Sequence, residues 1–280
     1  MPIATTLHHI MKRLGLILAA GLLAVFTTPP ATLPVSAQGM IQYVDLNSAE
    51  FTKAEVTRED IEALIAQADP SSPLDLSAKR LNGLDLSGLD FSGANFQAAR
   101  LNGTNLKGAN LDGAVLDQAW ALKADLSGAT LRKASLFGTQ LMDAVIVGAN
   151  FDGARITADM SRAKLKAASF NNADLSADMT NQSMGLMRGV LASADLEQAT
   201  FENANMSRVV LEYASLRDAN LTNAKLNGSE IGGADLRGAN IAGADFHEAD
   251  INSAKFMELV GKTEALHLDT MKNIDQAFTD

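Results

Sequence analysis

An all-β solenoid is the fold this 280-residue sequence predicts, on three observations. A leucine, phenylalanine or close apolar relative recurs every five residues from Leu76 to Phe256. The residue two before it is nearly always small, as at Ala94, Ala99, Ala109, Ala114, Ala119 and Ala124. The remaining positions are mostly Asp, Asn, Ser, Lys, Arg and Gly. On an α-helix, five residues advance about 140° past a full turn, so the apolar side chains would wander over every face. On a flat strand five is odd, so successive ones would point to opposite sides. A constant phase over so long a run requires a corner every five residues, with each central side chain aimed at one axis.

Within each segment the central residue and the one two before it share a side, so both point inward. A narrow interior holds one large and one small side chain per segment, which accounts for the Leu/Ala alternation. Gly and Asn among the outward residues suit tight corners with positive φ. Clean copies are Ala109-Asn110-Leu111-Asp112-Gly113, Ala124-Asp125-Leu126-Ser127-Gly128 and Ala239-Asn240-Ile241-Ala242-Gly243. These copies resemble the pentapeptide repeat family, whose signature is A(D/N)LXX, over roughly two-thirds of the chain. The resemblance implies a right-handed quadrilateral β-helix with four repeats per square coil, here about nine coils.

Four stretches follow in order. Residues 1–37 read as a secretory signal peptide: Lys12-Arg13 closes a basic region, Leu14–Phe26 is apolar, and Val35-Ser36-Ala37 fits a cleavage site before Gln38. The apolar stretch is short for a bilayer span. No cysteine is present for lipid attachment or disulfides. Residues 38–73 read as a short strand, Ile41–Leu46, then a helix opened by a capping box at Thr57-Arg58-Glu59-Asp60 and stopped at Asp69-Pro70. Its apolar stripe, Ile61, Leu64, Ile65 and Ala68, suits a cap over the open solenoid end. Residues 74–258 are the repeat. Residues 259–280 read as a second capping helix from Thr263, carrying Leu266, Met271, Ile274 and Phe278.

The repeat breaks phase once. Central positions run Ile156, Met160, Leu165, Phe170, Leu175, Met179 and Leu186, with spacings of four, four and seven among the fives. Met160, Met179, Met184 and Met187 gather there, reading as a bulge packed by adaptable thioethers or, alternatively, a ligand site.

The formal charge is −10, and losing Lys12 and Arg13 with the leader makes it two units more negative. That acidity disfavours nucleic acid and anionic membranes as partners. No catalytic, metal or cofactor constellation emerges. His247 and His267 alone survive leader removal. Gly261-Lys262-Thr263 lacks the earlier glycine of a phosphate loop, having Phe256 there. The outward aspartates read as solvation and turn bonding.

One surface feature departs from the pattern. Outward positions turn apolar at Val115, Trp120, Leu122, Phe137, Met142, Val145 and Val147. At four repeats per coil, Leu122 stacks on Met142 and Trp120 on Gln140, with Phe137 on the preceding face and Val145 and Val147 on the following one. Such a strip marks a site for a protein partner or self-association. The expected function is therefore a non-catalytic, exported binding or scaffold protein. It would leave by the Sec route for the periplasm, or for the thylakoid lumen in a cyanobacterial source, with no stable membrane insertion once the signal is cleaved. The alternative, implied by the family's DNA-mimic branch, is an acidic rod acting on a type II topoisomerase. Arg80, Arg100, Arg155, Lys164, Lys225 and Lys255 interrupt the unbroken acidic stripe that alternative needs.

Overall fold

The computed structural model describes residues 44–69, 72–180 and 187–280, all within the unit Val35–Asp280. The leader at 1–37 and its cleavage site lie outside the described residues, as do Pro70, Met184 and Leu186. Of the strand expected over Ile41–Leu46, only Val44–Leu46 is described, and it bends into a turn instead.

Parallel bridges join residues twenty apart, so four five-residue segments complete one coil. One face runs Asp75, Asn95, Val115, Ser135; the next Arg80, Arg100, Trp120, Gln140. The third runs Asp85, Asn105, Asp125, Val145, and the fourth Asp90, Asn110, Thr130, Asn150. Each rung is held by backbone bonds, for example Leu101 N–H to Trp120 O at 2.6 Å and Gly103 N–H to Leu122 O at 2.8 Å. Central side chains such as Leu101, Leu106 and Leu111 are fully buried, and so are the small residues Ala99, Ala109 and Ala124. Each buried Leu or Phe contributes about 1.5–3 kcal/mol before ordering entropy is subtracted. The corner residue is left-handed whether it is Gly103 (φ 63°) or Lys123 (φ 57°), at a steric cost only the second bears.

The Asp/Asn before each central residue has a specific task. Its side-chain oxygen accepts a corner N–H two residues on: Asp85 from Ser87 at 3.1 Å, Asp125 from Ser127 at 2.9 Å, Asn150 from Asp152 at 2.8 Å. At several positions that hold another residue, a side chain from the preceding coil takes over. Asn82 Oδ1 accepts Asn102 N–H at 3.1 Å, Asn102 Oδ1 accepts Leu122 N–H at 3.0 Å, and Asp117 Oδ1 accepts Phe137 N–H at 2.9 Å. Hydroxyls in the small column are satisfied too, Thr104 donating to Leu81 O at 2.9 Å and Thr139 to Leu116 O at 2.8 Å.

The phase break has two parts that differ from the spacings read in the sequence. Bridge separations fall to nineteen at Gln140–Asp159 and Val145–Lys164, then rise to thirty-one at Asp159–Val190 and Lys164–Asp195. One corner is thus a residue short. There strand β2 (Arg155–Asp159) runs extended beside β1 (Ser135–Gln140), and an irregularity between Phe137 and Gln140 absorbs the mismatch. One later excursion adds eleven residues; less the one lost, that is two whole repeats, which restores the phase. Met160, Leu165, Phe170 and Leu175 are buried central residues as expected, but Met179 is 52% exposed on the excursion and is not one. The excursion closes through Asp178 N–H to Met187 O at 2.7 Å. Met187 is buried, its methyl 3.4 Å from where a Cβ on Gly138 would lie.

At the N-terminal end, helix α1 (Ala49–Thr52) precedes α2 (Arg58–Gln67). The capping box forms: Thr57 Oγ1 accepts Asp60 N–H at 3.2 Å, and the Asp60 carboxylate accepts Thr57 N–H at 2.8 Å. Ile61 is fully buried and Ile65 packs partly buried on the core, whereas Leu64 and Ala68 face outward.

The C-terminal α-helix does not form. Bridges continue instead at Val260, Leu266, Lys272 and Phe278, six residues apart, the last pairing β4 (Phe278–Thr279) with β3 (Lys255–Phe256). The residue before each bridge, Leu259, Ala265, Met271 or Ala277, packs against the core. The residue after three of them, Gly261, His267 or Asn273, is left-handed, and 3-10 turns follow at Leu268–Thr270 and Ile274–Gln276. Left-handed residues at these intervals exclude a continuous helix. Of the stripe assigned to that helix, only Met271 turns inward; Leu266, Ile274 and Phe278 are about half exposed.

Candidate partner-binding surface

The coil geometry distributes the apolar strip over three consecutive faces. Val115 bridges to Ser135 and Phe137 pairs with Thr157 on the first; Trp120 bridges to Gln140 on the second, where Leu122 and Met142 follow; Val145 bridges to Asp125 on the third, next to Val147. Val147 is 41% exposed, and Val115, Leu122, Phe137, Met142 and Val145 are half-buried.

Two segments of the chain itself border this strip. The Phe51 ring meets the Trp120 indole edge-on, centroids 4.9 Å apart, and the Arg100 guanidinium lies 4.9 Å from Phe51 and 5.7 Å from Trp120. Met187 lies against Gly138 on the other side. Trp120 is therefore partly covered by α1, which the sequence reading missed. A usable signal existed: Arg80 and Arg100 replace Asp/Asn on this face, while Asn82 and Asn102 stand one coil apart at a position usually filled otherwise.

Several outward charges are paired across rungs. Asp112 meets Arg132 Nε at 2.8 Å, Asp143 meets Arg162 at 2.8 Å, and Glu197 meets Lys166 at 2.8 Å. Asp235 contacts Arg237 at 2.6 Å and Lys255 at 3.5 Å. Hydrogen bonding from the Arg237 guanidinium, opposed by burial and reinforced by the Arg237 N–H and Lys255, lowers the Asp235 carboxyl from 3.8 to about 2. A lowered carboxyl stabilises the fold fully above its unfolded value and loses that contribution as pH falls through its folded one. The melting temperature is thus expected to fall between about pH 4 and pH 2. Asp235→Asn should flatten that slope in thermal melts across the window, and an unchanged slope would exclude the Asp235 cluster as a source.

His247 and His267 meet at the C-terminal end with ring centroids 5.3 Å apart. His267 Nδ1 lies 2.7 Å from Asp245 Oδ1, and His247 Nδ1 3.3 Å from Thr270 Oγ1. Among the described residues, no group of three or more His, Cys, Asp or Glu is placed to hold a metal ion.

The family model described as pentapeptide repeats matches eight copies, over residues 80–118, 109–145, 123–157, 190–228 and 219–256, together more than half of the chain. The chain belongs to the pentapeptide repeat family. Solved pentapeptide repeat structures similar to it include HetL, involved in heterocyst differentiation regulation, from the cyanobacterium Nostoc sp. strain PCC 7120. That likeness has 22% identity, covers 81% of this chain and 95% of that one, and has a TM-score of 0.32. QnrB1, a plasmid-mediated fluoroquinolone resistance protein, is 17% identical over 70% of this chain and 90% of that one, with a TM-score of 0.34. A protein of the Arabidopsis thaliana thylakoid lumen is 21% identical over 67% and 72%, with a TM-score of 0.19. A comparison with curated proteins finds no match. At these identities and TM-scores, none of the likenesses assigns a partner to this pentapeptide repeat chain.

Proposed function

We propose that this pentapeptide repeat protein is a non-catalytic, exported binding or scaffold protein whose solenoid surface meets a protein partner. The observation that carries this reading is the apolar strip, Val115 to Val147, on faces whose outward positions are mostly polar. Leu122, Phe137, Met142, Val145 and Val147 expose apolar surface on neighbouring coils, and contiguous patches of that kind mark interaction sites. The leader-like residues 1–37 support export to the periplasm or a thylakoid lumen. Among the described residues no helix is long and apolar enough to cross a membrane. Pairing of Asp112 and Asp143 with arginines one coil on, and of Asp235 with Arg237 beside it, weighs against an unbroken acidic stripe, and so against the topoisomerase alternative.

The test is capture from fractionated native cells, with the intact mass of the bait-equivalent protein measured in each fraction. The expected mature form begins near Gln38 in the exported fraction. Replacing Leu122, Phe137 and Met142 together by Asp should reduce capture at least about tenfold, the loss expected from removing an interface centre. Retained capture by a folded triple variant would refute the strip as the site. A full-length cytosolic form would refute export.

A further inference from the structure

We infer that the side face spanning Arg80, Asn82, Arg100, Asn102 and Trp120 is a peptide-binding groove. Its ligand is a short segment with an acidic residue immediately before an aromatic one, and the chain's own Ala49–Glu55 is the resident occupant. This site meets the apolar strip at Trp120 and at the Leu122 N–H, which Asn102 Oδ1 accepts at 3.0 Å.

The resident is held by three kinds of contact that together define a ligand. The first reads main chain. Asn82 Nδ2 donates to Glu50 O at 2.9 Å and Lys53 O at 3.2 Å, Asn102 Nδ2 donates to Phe51 O at 3.2 Å, and Glu55 N–H donates to Arg80 O at 2.9 Å. The second reads a ring: Phe51, buried to 7% exposure, packs edge-to-face with Trp120 and against the Arg100 guanidinium, which lies over both rings. The third reads charge, Arg100 to Glu50 at 2.8 Å and Arg80 to Glu55 at 3.3 Å. Main-chain bonds give affinity for any extended or turned segment, while the ring and the two carboxylates select its sequence.

The fit is also incomplete, which makes the occupant exchangeable. Arg100 offers Nε and a terminal nitrogen in parallel, the geometry that holds a carboxylate by two bonds. Glu50 takes only the terminal nitrogen, and the buried Arg100 Nε has no partner among the described residues. A segment placing its carboxylate against both nitrogens would satisfy this group as well. Release of the resident has a natural end point, because α2 is anchored separately by the Thr57–Asp60 capping box and the buried Ile61. Only Ala49–Val56 needs to leave. While tethered, the resident competes at an effective concentration of about millimolar, so the groove is closed to weak ligands until it is loosened.

Trp120 is the only tryptophan, so its emission reports the groove directly. The probe is a synthetic peptide of residues 45–56 added to the full-length Phe51→Ala chain, with circular dichroism and thermal melts confirming the solenoid. Expected is a saturable shift of Trp120 emission, with affinity at least about tenfold above that for the wild type, whose resident competes. A scrambled peptide and a further Asn102→Ala change should each abolish the response. No saturable response in the folded variant overturns the groove, and so does equal binding by the scrambled peptide or by the Asn102→Ala form. Should Phe51→Ala prevent folding, the pair Glu50→Gln and Glu55→Gln loosens the resident through its ion pairs alone, and the same outcomes decide.

Discussion

Phe170→Ala is expected to destabilise the solenoid by about 3–5 kcal/mol. The Phe170 ring is fully buried and stacks on Phe151 at 4.9 Å and on Phe201 at 4.8 Å, with interplanar angles of 6° and 4°. These three residues are central positions on one face, separated by nineteen and then thirty-one residues instead of twenty. The stack therefore crosses the short corner and the excursion and keeps adjoining coils in register where the sequence spacing no longer does. Removing the middle ring loses its transfer free energy and leaves a cavity that the neighbouring coils cannot close without tilting. Coil stability passes mainly between neighbours, so this is also the place where cooperativity is most easily cut. Denaturant unfolding should show an earlier and broader, two-step transition for Phe170→Ala, and Phe170→Leu should recover most of the loss. A single sharp transition at the wild-type midpoint would show that the stack does not couple these coils.

Asn82→Ala is expected to cost about 2–4 kcal/mol, although the residue lies at an outward-facing corner. Asn82 is only 4% exposed because the segment before α2 covers it. Its amide serves both sides at once: the oxygen accepts Asn102 N–H at 3.1 Å, and the nitrogen donates to Glu50 O and Lys53 O. Alanine leaves a corner N–H without its acceptor and frees the segment, a larger penalty than one hydrogen bond because the donor is left shielded from water. Asn82→Asp separates the two roles. It keeps an acceptor for Asn102 but turns a carboxylate oxygen on the Glu50 and Lys53 carbonyls, so it should expel the segment and shift Trp120 emission more than alanine does, while the Asn102 corner stays bonded. Equal effects of the two substitutions on stability and on Trp120 emission would show that corner and segment act as one unit.

The architecture was legible because each five-residue copy carries its own instruction. Leu or Phe at the centre, Ala two before it and Asp or Asn between them specify what is buried and which side chain bonds the corner N–H. The apolar strip was legible for the same reason, as a departure from a strict pattern at Val115 through Val147. Arg80, Arg100, Asn82 and Asn102 mark a covered face, but which segment covers it could not be read. Phe51 lies in a segment without repeat character, and its contact with Trp120 joins residues 69 positions apart in sequence. The C-terminal coil was misread for a local reason. Leu266, Met271, Ile274 and Phe278 have spacings a helix tolerates, and only Gly261, His267 and Asn273, six apart, mark the left-handed corners.

By itself, then, the sequence determined the coil: period, interior, corner chemistry and membership of the pentapeptide repeat family all follow from side-chain size and polarity repeated in phase. Only the tertiary structure decided how the repeat ends and how its surface is occupied. A short corner is compensated by an excursion, a six-residue rhythm replaces a helix, and Ala49–Glu55 lies across Trp120. Those outcomes depend on unmatched N–H groups, guanidinium donors and exposed rings finding partners far along the chain, and the segments that supply those partners carry no repeat pattern to announce them.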